Sequence, residues 1–303
     1  MGLDGLFLLI GGGLLFYGGD WLVDGIEELA ERLKVPPVIL AFVIMGFGTS
    51  APELFVAVDA MLADAPDIAM GNVLGSNIAN LLLVLAIAAL IAPLAIDGEV
   101  LRIDGGAMLT GAVALWLVSM DGLVSRLDAV LLLLGMLAYL VMRWRTLPPS
   151  DGADCGPAGG WLVAAGKCCV ALIALPTGAH LFVEGAIGIA HFLGVSEALI
   201  GLTVVAVGTS LPEMASCFVA ALRRQSGMIL GGILGSNVFN GTVVLGTAAF
   251  VAPVMVESDF ITFWIPVASV ASVASLVFLR TGFFLSRREA MIMLVGYAVI
   301  FAV

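Results

Sequence analysis

Charge is scarce in this chain. Of its 303 residues only 12% are Asp, Glu, Lys or Arg, against about 25% in a typical soluble domain. Hydrophobic residues make up 61%, and the mean hydropathy is +1.16. A water-soluble core cannot bury that much apolar surface, so a soluble fold is excluded. Basic residues are scarcer than acidic ones, 12 against 23, which gives a net charge of −11. That balance excludes a phosphate-binding surface, and no nucleic-acid partner is expected. There are two histidines, His180 and His191, both read as lying near helix or loop boundaries. No zinc motif or Ser/His pair accompanies them, so no enzyme and no cofactor is expected. The four cysteines, Cys155, Cys168, Cys169 and Cys217, show no metal or redox spacing. Adjacent Cys168 and Cys169 point to different faces of a helix. The start of the chain lacks a basic region and a small-residue cleavage site, so the first apolar segment is expected to remain as a helix.

What the chain has is apolar runs, unbroken and about 20 residues long, the length of a membrane-spanning helix. A β-barrel would show alternating segments of about 10 residues instead. The runs fall near 3–26, 37–63, 67–93, 105–120, 127–145, 161–190, 197–222, 227–252, 260–280 and 287–303. The expected fold is an all-α integral membrane protein of ten transmembrane helices, with the lipid bilayer as its main partner. The stretch RWRTLPPSDGADCGPAGG, residues 143–160, is rich in Pro, Gly and Asp and reads as a loop. Its residues 146–160 form a linker between two parts, 1–145 and 161–303.

The two parts resemble each other. A shift of 160 positions, with no gap, lays GTSAPE (48–53) on GTSLPE (208–213) and GNVLGSNIAN (71–80) on GGILGSNVFN (231–240). Pro93 falls on Pro253. This is an internal duplication. Five helices per part is an odd number, so the second part enters the membrane from the opposite side and the repeats are inverted, as in many secondary transporters. With ten spans, Arg32, Lys34, Arg102, Arg143, Arg145, Lys167, Arg223, Arg224, Arg280, Arg287 and Arg288 fall on one side, and Arg126 on the other. The positive-inside rule makes the majority side, with the linker, cytoplasmic and puts both termini outside.

Most acidic residues lie near helix ends or in loops and call for no special role: Asp64, Asp67, Asp97, Glu99, Asp104, Asp121, Asp128, Asp151 and Asp154. Glu53 and Glu213 differ, because each sits mid-segment, where a charge costs at least a few kcal/mol and usually faces a cavity. Thr49 and Ser50 stand four and three residues before Glu53, on the carboxylate's helical face. Pro52 lacks an N–H and its ring crowds the carbonyl of Gly48. Carbonyls around Gly46–Thr49 are then freed, with Gly46 and Gly48 permitting unwinding. Pro212 does the same around Ala206–Thr209. In the second motif Ser76 and Asn80 are four apart, as are Ser236 and Asn240, while Gly71, Gly75, Gly231 and Gly235 allow close helix approach. All these donors are hard oxygens, the set that Ca²⁺ or Na⁺ takes, and not a soft transition-metal set.

The paired blocks GTSAPE with GNVLGSNIAN and GTSLPE with GGILGSNVFN resemble the two α-repeats of the calcium/cation antiporter superfamily, in particular its sodium/calcium exchanger branch, and a prokaryotic member without a large regulatory domain. On that resemblance the repeats cover 41–93 and 201–253. The resemblance implies exchange of Ca²⁺ for Na⁺ by alternating access at the membrane midplane, with H⁺/Ca²⁺ antiport as the alternative. It implies a core of helices two, three, seven and eight, across which helices one and six slide. Gly11, Gly12, Gly13, Gly18 and Gly19 of the first helix, and Gly178, Gly185 and Gly188 of the sixth, then fit a loosely packed sliding surface. It implies ion ligands at Gly46 (carbonyl), Thr49, Ser50, Glu53, Ser76 and Asn80, and at Ala206 (carbonyl), Thr209, Ser210, Glu213, Ser236 and Asn240. Several relatives carry Asp where this chain has Asn240, so the site here offers two carboxylates. A monomer in the cell's inner membrane is expected.

Overall fold

The structure is a computed structural model that describes residues 2–146, 160–194 and 206–301. The helices among these residues are α1 (Gly2–Leu33), α2 (Pro37–Leu62), α3 (Pro66–Ile91), α4 (Gly98–Ser119), α5 (Arg126–Arg145), α6 (Trp161–Phe192), α7 (Leu211–Leu222, preceded by the short turn Ala206–Gly208), α8 (Ser226–Val251), α9 (Phe260–Arg280) and α10 (Arg287–Ile300). Eight of them, all but α7 and α10, are long and apolar enough to cross a membrane. The linker expected at 146–160, apart from its ends, and the first part of the segment expected at 197–222 lie outside the described residues.

Helix starts follow local chemistry. Asp97 caps α4 by accepting from the amides of Glu99 and Val100. Ser125 with Asp128, and Ser286 with Glu289, form capping boxes at α5 and α10, each satisfying amides that a helix end leaves free. Four two-residue strands add to the helices. β1 (Leu94–Ala95) pairs antiparallel with β4 (Phe284–Leu285), and β2 (Leu123–Val124) with β3 (Val254–Met255). Each pairing joins the first part of the chain to the second. Arginines repeat that exchange: Arg126 donates to the carbonyls of Phe250 and Val251 at the end of α8, and Arg287 to those of Leu90 and Ile91 at the end of α3. Arg126, the exception in the charge pattern, is thus a helix C-cap.

The centre belongs to α3 and α8. Of their most apolar windows 67% and 94% lie inside, against 22% for α5 and 28% for α9. Glycines set how close α2 comes to α8. A Cβ on Gly231 would overlap the Val38 carbonyl oxygen, and one on Gly235 would overlap the Phe42 carbonyl oxygen and sit 3.0 Å from its Cα. For Gly71 and Gly75 no such contact exists among the described residues; the stretch equivalent to 38–42 is 198–202, which lies outside them.

Three expectations are corrected. The first helix runs to Leu33, not to 26, because its acidic residues are on the helix and paired. Arg223 bridges Asp20 and Asp24, Lys167 reaches Glu28 at 2.5 Å, and Gln225 donates to Glu27. This network ties α1 to α6 and to the end of α7. Of the glycines expected to be loosely packed between α1 and α6, Gly13 has open space and Gly12 only a distant side chain, but Gly11, Gly178 and Gly185 are at backbone contact and Gly188 is crowded by a side chain. A Cβ on Gly11 would lie 2.7 Å from the Gly178 carbonyl oxygen, and one on Gly178 would lie 2.8 Å from the Leu14 Cβ, so the two backbones touch. Finally, Asp104 is not a solvated helix-end residue. It is 1% exposed, 2.9 Å from Arg143 Nε, and accepts from the Tyr139 hydroxyl at 2.5 Å. The hydrophobic run was placed from 105, whereas α4 begins at Gly98, and Arg143 and Tyr139 of α5 together explain a carboxylate buried in it.

Two consequences are measurable by thermal unfolding in detergent. Asp104→Leu strands a buried guanidinium and lowers stability by about 3–5 kcal/mol, while Asp104→Leu with Arg143→Met lowers it far less. Gly235→Ala drives a methyl into the α2 backbone, which no side-chain rotation relieves, and costs about 1–3 kcal/mol.

Candidate ion-binding site

Both GTSxPE blocks break their helices at the serine. Ser50 has φ −85° and ψ 9°, and Ser210 has φ −86° and ψ 5°; Pro52 and Pro212 then stand in the first turns of the segments that follow. Proline is tolerated there because its missing N–H has no intrahelical acceptor to lose. The unwinding is therefore at Ser50, and not at the glycines as the sequence suggested. Gly46–Thr49 is helical. Gly46 is needed for contact, since its Cβ would lie 2.8 Å from the Gly235 Cα.

The break puts both glutamates at the N-terminal end of a helix segment, where the backbone amides favour negative charge. Glu53 is 0% exposed and Glu213 2%. Their partners come from across the fold. Ser50 donates to Glu213 Oε1 at 2.9 Å, which links the first block to the second. Ser76 of α3 donates to Glu53 Oε1 at 3.4 Å. The second oxygens, Glu53 Oε2 and Glu213 Oε2, are buried with no partner among the described residues. Thr49 donates to the Met45 carbonyl at 2.6 Å and so does not engage Glu53. Ser236 donates to the freed Gly46 carbonyl at 3.1 Å. Ser210 Oγ and Asn80 Oδ1 are buried and unpartnered, as are both side-chain polar atoms of Asn240. Ala206 opens the described stretch that leads into the second block.

The second block borders a cavity. Thr209 is half-buried, unlike its counterpart Thr49 at 1% exposure. It lines a cavity of about 240 Å³ together with Pro52, Pro212, Pro176, His180 and Val183. His180 is thus well inside α6, and not near a helix boundary as the sequence suggested. Larger grooves of about 530 and 900 Å³ lie along α4 with α9 and α4 with α5, walled mainly by apolar side chains; size alone does not mark the site.

The structure also brings in residues that the sequence reading passed over. Asn72 donates to the Glu53 carbonyl at 2.9 Å. Asn77 donates to the Asn237 carbonyl at 3.4 Å, and Asn237 Oδ1 accepts from Asn80 at 3.5 Å. Asn77 and Asn237 are the same letter of the two GSN motifs, a signal that was open to reading. α3 and α8 each widen into a π-helical turn from Asn80 and from Asn240, an irregularity frequent at functional sites.

Chemically, the centre is a set of buried acceptors lacking donors. Leaving one such atom unsatisfied costs about 1–3 kcal/mol, and more when it is charged. Among the described residues no group of three or more His, Cys, Asp or Glu forms, so the ligands on offer are carboxylate, amide and hydroxyl oxygens. Such a set suits a hard cation.

Comparison with known proteins agrees with this chemistry. A family profile described as sodium/calcium exchanger protein matches residues 4–145 and 163–303. The Inner membrane protein YrbG of Escherichia coli (strain K12) is 34% identical over 81% of this chain and 79% of its own. The Sodium/calcium exchanger MaX1 of Methanosarcina acetivorans is 29% identical over 96% of this chain and 95% of its own. A solved structure of the sodium-calcium exchanger NCX_Mj, soaked with Na⁺ and Sr²⁺, superimposes with a TM-score of 0.87 at 30% identity, covering 99% of this chain and 98% of that one. The chain is a multi-pass membrane protein and belongs to the sodium/calcium exchanger protein family.

Proposed function

We propose that this protein is a secondary antiporter that exchanges Ca²⁺ for Na⁺ across the cell's inner membrane. The observation that carries the reading is the pair of buried carboxylates, Glu53 and Glu213, each with one oxygen held by a serine and one unpartnered. Ca²⁺ takes 6–8 oxygens in flexible geometry. In this reading Glu53 and Glu213 bind it directly. Thr49, Ser50, Ser76, Asn80, Thr209, Ser210, Ser236 and Asn240, with the carbonyls of Gly46 and Ala206, supply the remaining oxygens to Ca²⁺ or to the Na⁺ ions that replace it. No cofactor and no enzymatic step is involved. Two carboxylates match one Ca²⁺, two Na⁺ or two protons, so H⁺/Ca²⁺ antiport is the competing assignment.

The architecture proposed is ten transmembrane helices in two inverted five-helix repeats, residues 1–145 and 161–303. The α-repeats are 41–93 and 201–253, the linker 146–160 is cytoplasmic, both termini are external, and the monomer is the working unit. Cross-pairing of β1 with β4 and β2 with β3, and the reciprocal arginine caps, support that symmetry. The cavity beside Thr209 then opens toward the outside. An unoccupied pair of carboxylates resists enclosure, whereas a bound cation neutralises them and lets α1 and α6 slide across the core. Coupled exchange, not leak, follows from that difference.

Two assays test the proposal. Glu213→Gln removes a charged ligand worth about 1.5–3 kcal/mol, roughly ten- to hundredfold in affinity, and ⁴⁵Ca uptake into vesicles should fall to background; uptake at the wild-type level would refute the ligand assignment. Calcium uptake driven by a sodium gradient at clamped pH should proceed, while a pH gradient without sodium should drive none. The reverse result assigns proton coupling.

A further inference from the structure

An asparagine can serve a cation only through Oδ1, because its NH₂ end carries positive partial charge. A ligating Asn therefore needs an acceptor that draws its NH₂ away from the ion. Asn80 has one. Its Nδ2 donates to Asn237 Oδ1 at 3.5 Å, and its own Oδ1 is left without a partner. Asn237 is itself anchored, with Nδ2 on the Met108 sulfur at 3.6 Å and its carbonyl receiving Asn77.

Asn240, the second ligand of this type, has no such anchor. Both its Nδ2 and its Oδ1 are buried and, among the described residues, unpartnered. The residue that would serve it by the repeat is Asn77, which stands to Asn240 as Asn237 stands to Asn80. Asn77 Oδ1 is also buried and unpartnered. The Asn77 amide is adjacent: its Nδ2 lies 4.0 Å from where a Cβ on Gly241 would be, one residue past Asn240. The Asn77 side chain, with its orphaned acceptor, thus lies against α8 beside the residue that follows Asn240 and its orphaned donor.

We infer that Asn77 and Asn237 are positioning residues for the ion site: Asn237 holds the Asn80 amide with its oxygen toward the cation, and Asn77 does the same for Asn240 when a cation is bound. The inference rests on the site assignment proposed above. It also explains how this chain works with asparagine at position 240. A carboxylate presents an oxygen whichever way it turns, whereas an amide must be oriented, and Asn77 supplies the orientation. The first-repeat amide is set in advance, and the second-repeat amide is set by binding, so position 77 acts on affinity and on ion choice without touching the ion.

The test is a double-mutant cycle on the full-length protein in vesicles, read as KM and kcat for ⁴⁵Ca exchange. Asn77→Leu keeps the branched shape and removes the acceptor, together with the donor to the Asn237 carbonyl. It should raise KM about tenfold, the loss of one net hydrogen bond, with kcat within about twofold of wild type. In an Asn240→Asp background the same change should move KM by less than about twofold relative to Asn240→Asp alone, since a carboxylate needs no orienting acceptor. An equal rise in both backgrounds means that Asn77 only packs, and no rise in either means that it does nothing; each result overturns the inference. Asn240→Leu is the control for the site itself: an unchanged KM there refutes the site assignment, and the inference with it. If Asn77→Leu does not reach the membrane, the mirror cycle of Asn237→Leu with Asn80→Asp carries the same expectation and the same refutation.

Discussion

Two carboxylates lie at the middle of an apolar bundle, and the helices around them are arranged to keep them there. Neither Glu53 nor Glu213 reaches water, and an uncompensated charge at that depth is expensive. The fold meets half of the demand itself. The hydrogen bond from Ser50 to Glu213 crosses from one GTSxPE block to the other, and Ser76 reaches Glu53 from the next helix. The other half is left to what binds. Glu53 Oε2, Glu213 Oε2, Asn80 Oδ1 and Ser210 Oγ all lack donors. A protein that satisfied every oxygen would hold no ion, and one that satisfied none would not hold its centre together.

Everything nearby serves to bring backbone to that point. The proline of each block ends one helix segment and starts the next, which places the glutamate in a first turn. Glycines at 231 and 235 let α2 lie against α8 at backbone distance, and Ser236 then caps the carbonyl that the break sets free at Gly46. Away from the site the same economy recurs. The arginines at 126 and 287 satisfy the ends of α8 and α3, and Arg143 pairs with Asp104 inside the α4–α5 layer. Other buried hydroxyls are satisfied within their own helix, as Ser216, Thr242 and Ser272 are by the carbonyls four residues before them.

Much of this was legible in the sequence because the signals are short-range. Runs of apolar residues marked α2, α3, α5, α6, α8 and α9 to within about two residues, since lipid solvent fixes both composition and length. The repeated blocks pointed to the buried glutamates, because a charge and a proline in one apolar run have few uses. What could not be read was pairing at long range. Asp104 looked like a helix-end residue until Arg143, 39 positions away, proved to be its partner. The first apolar run was placed at 3–26, and the continuation of α1 to Leu33 is carried by acidic residues that pair with Lys167 and Arg223. Spacing also put Thr49 and Ser50 on Glu53, whereas the hydroxyls turned to Met45 and Glu213. A period of three or four residues says which side chains share a face, and not which acceptor each one finds.

On the proposed reading a cation sits between Glu53 and Glu213. Long-wavelength anomalous diffraction from calcium, on crystals of the protein grown with Ca²⁺, tests it most directly. One strong peak is expected within ligand distance of both Oε2 atoms, with the Asn80 and Asn240 side chains turned toward it. Calcium peaks confined to the acidic end of α1 near Asp20, Asp24 and Glu28, with none between the glutamates, would contradict it.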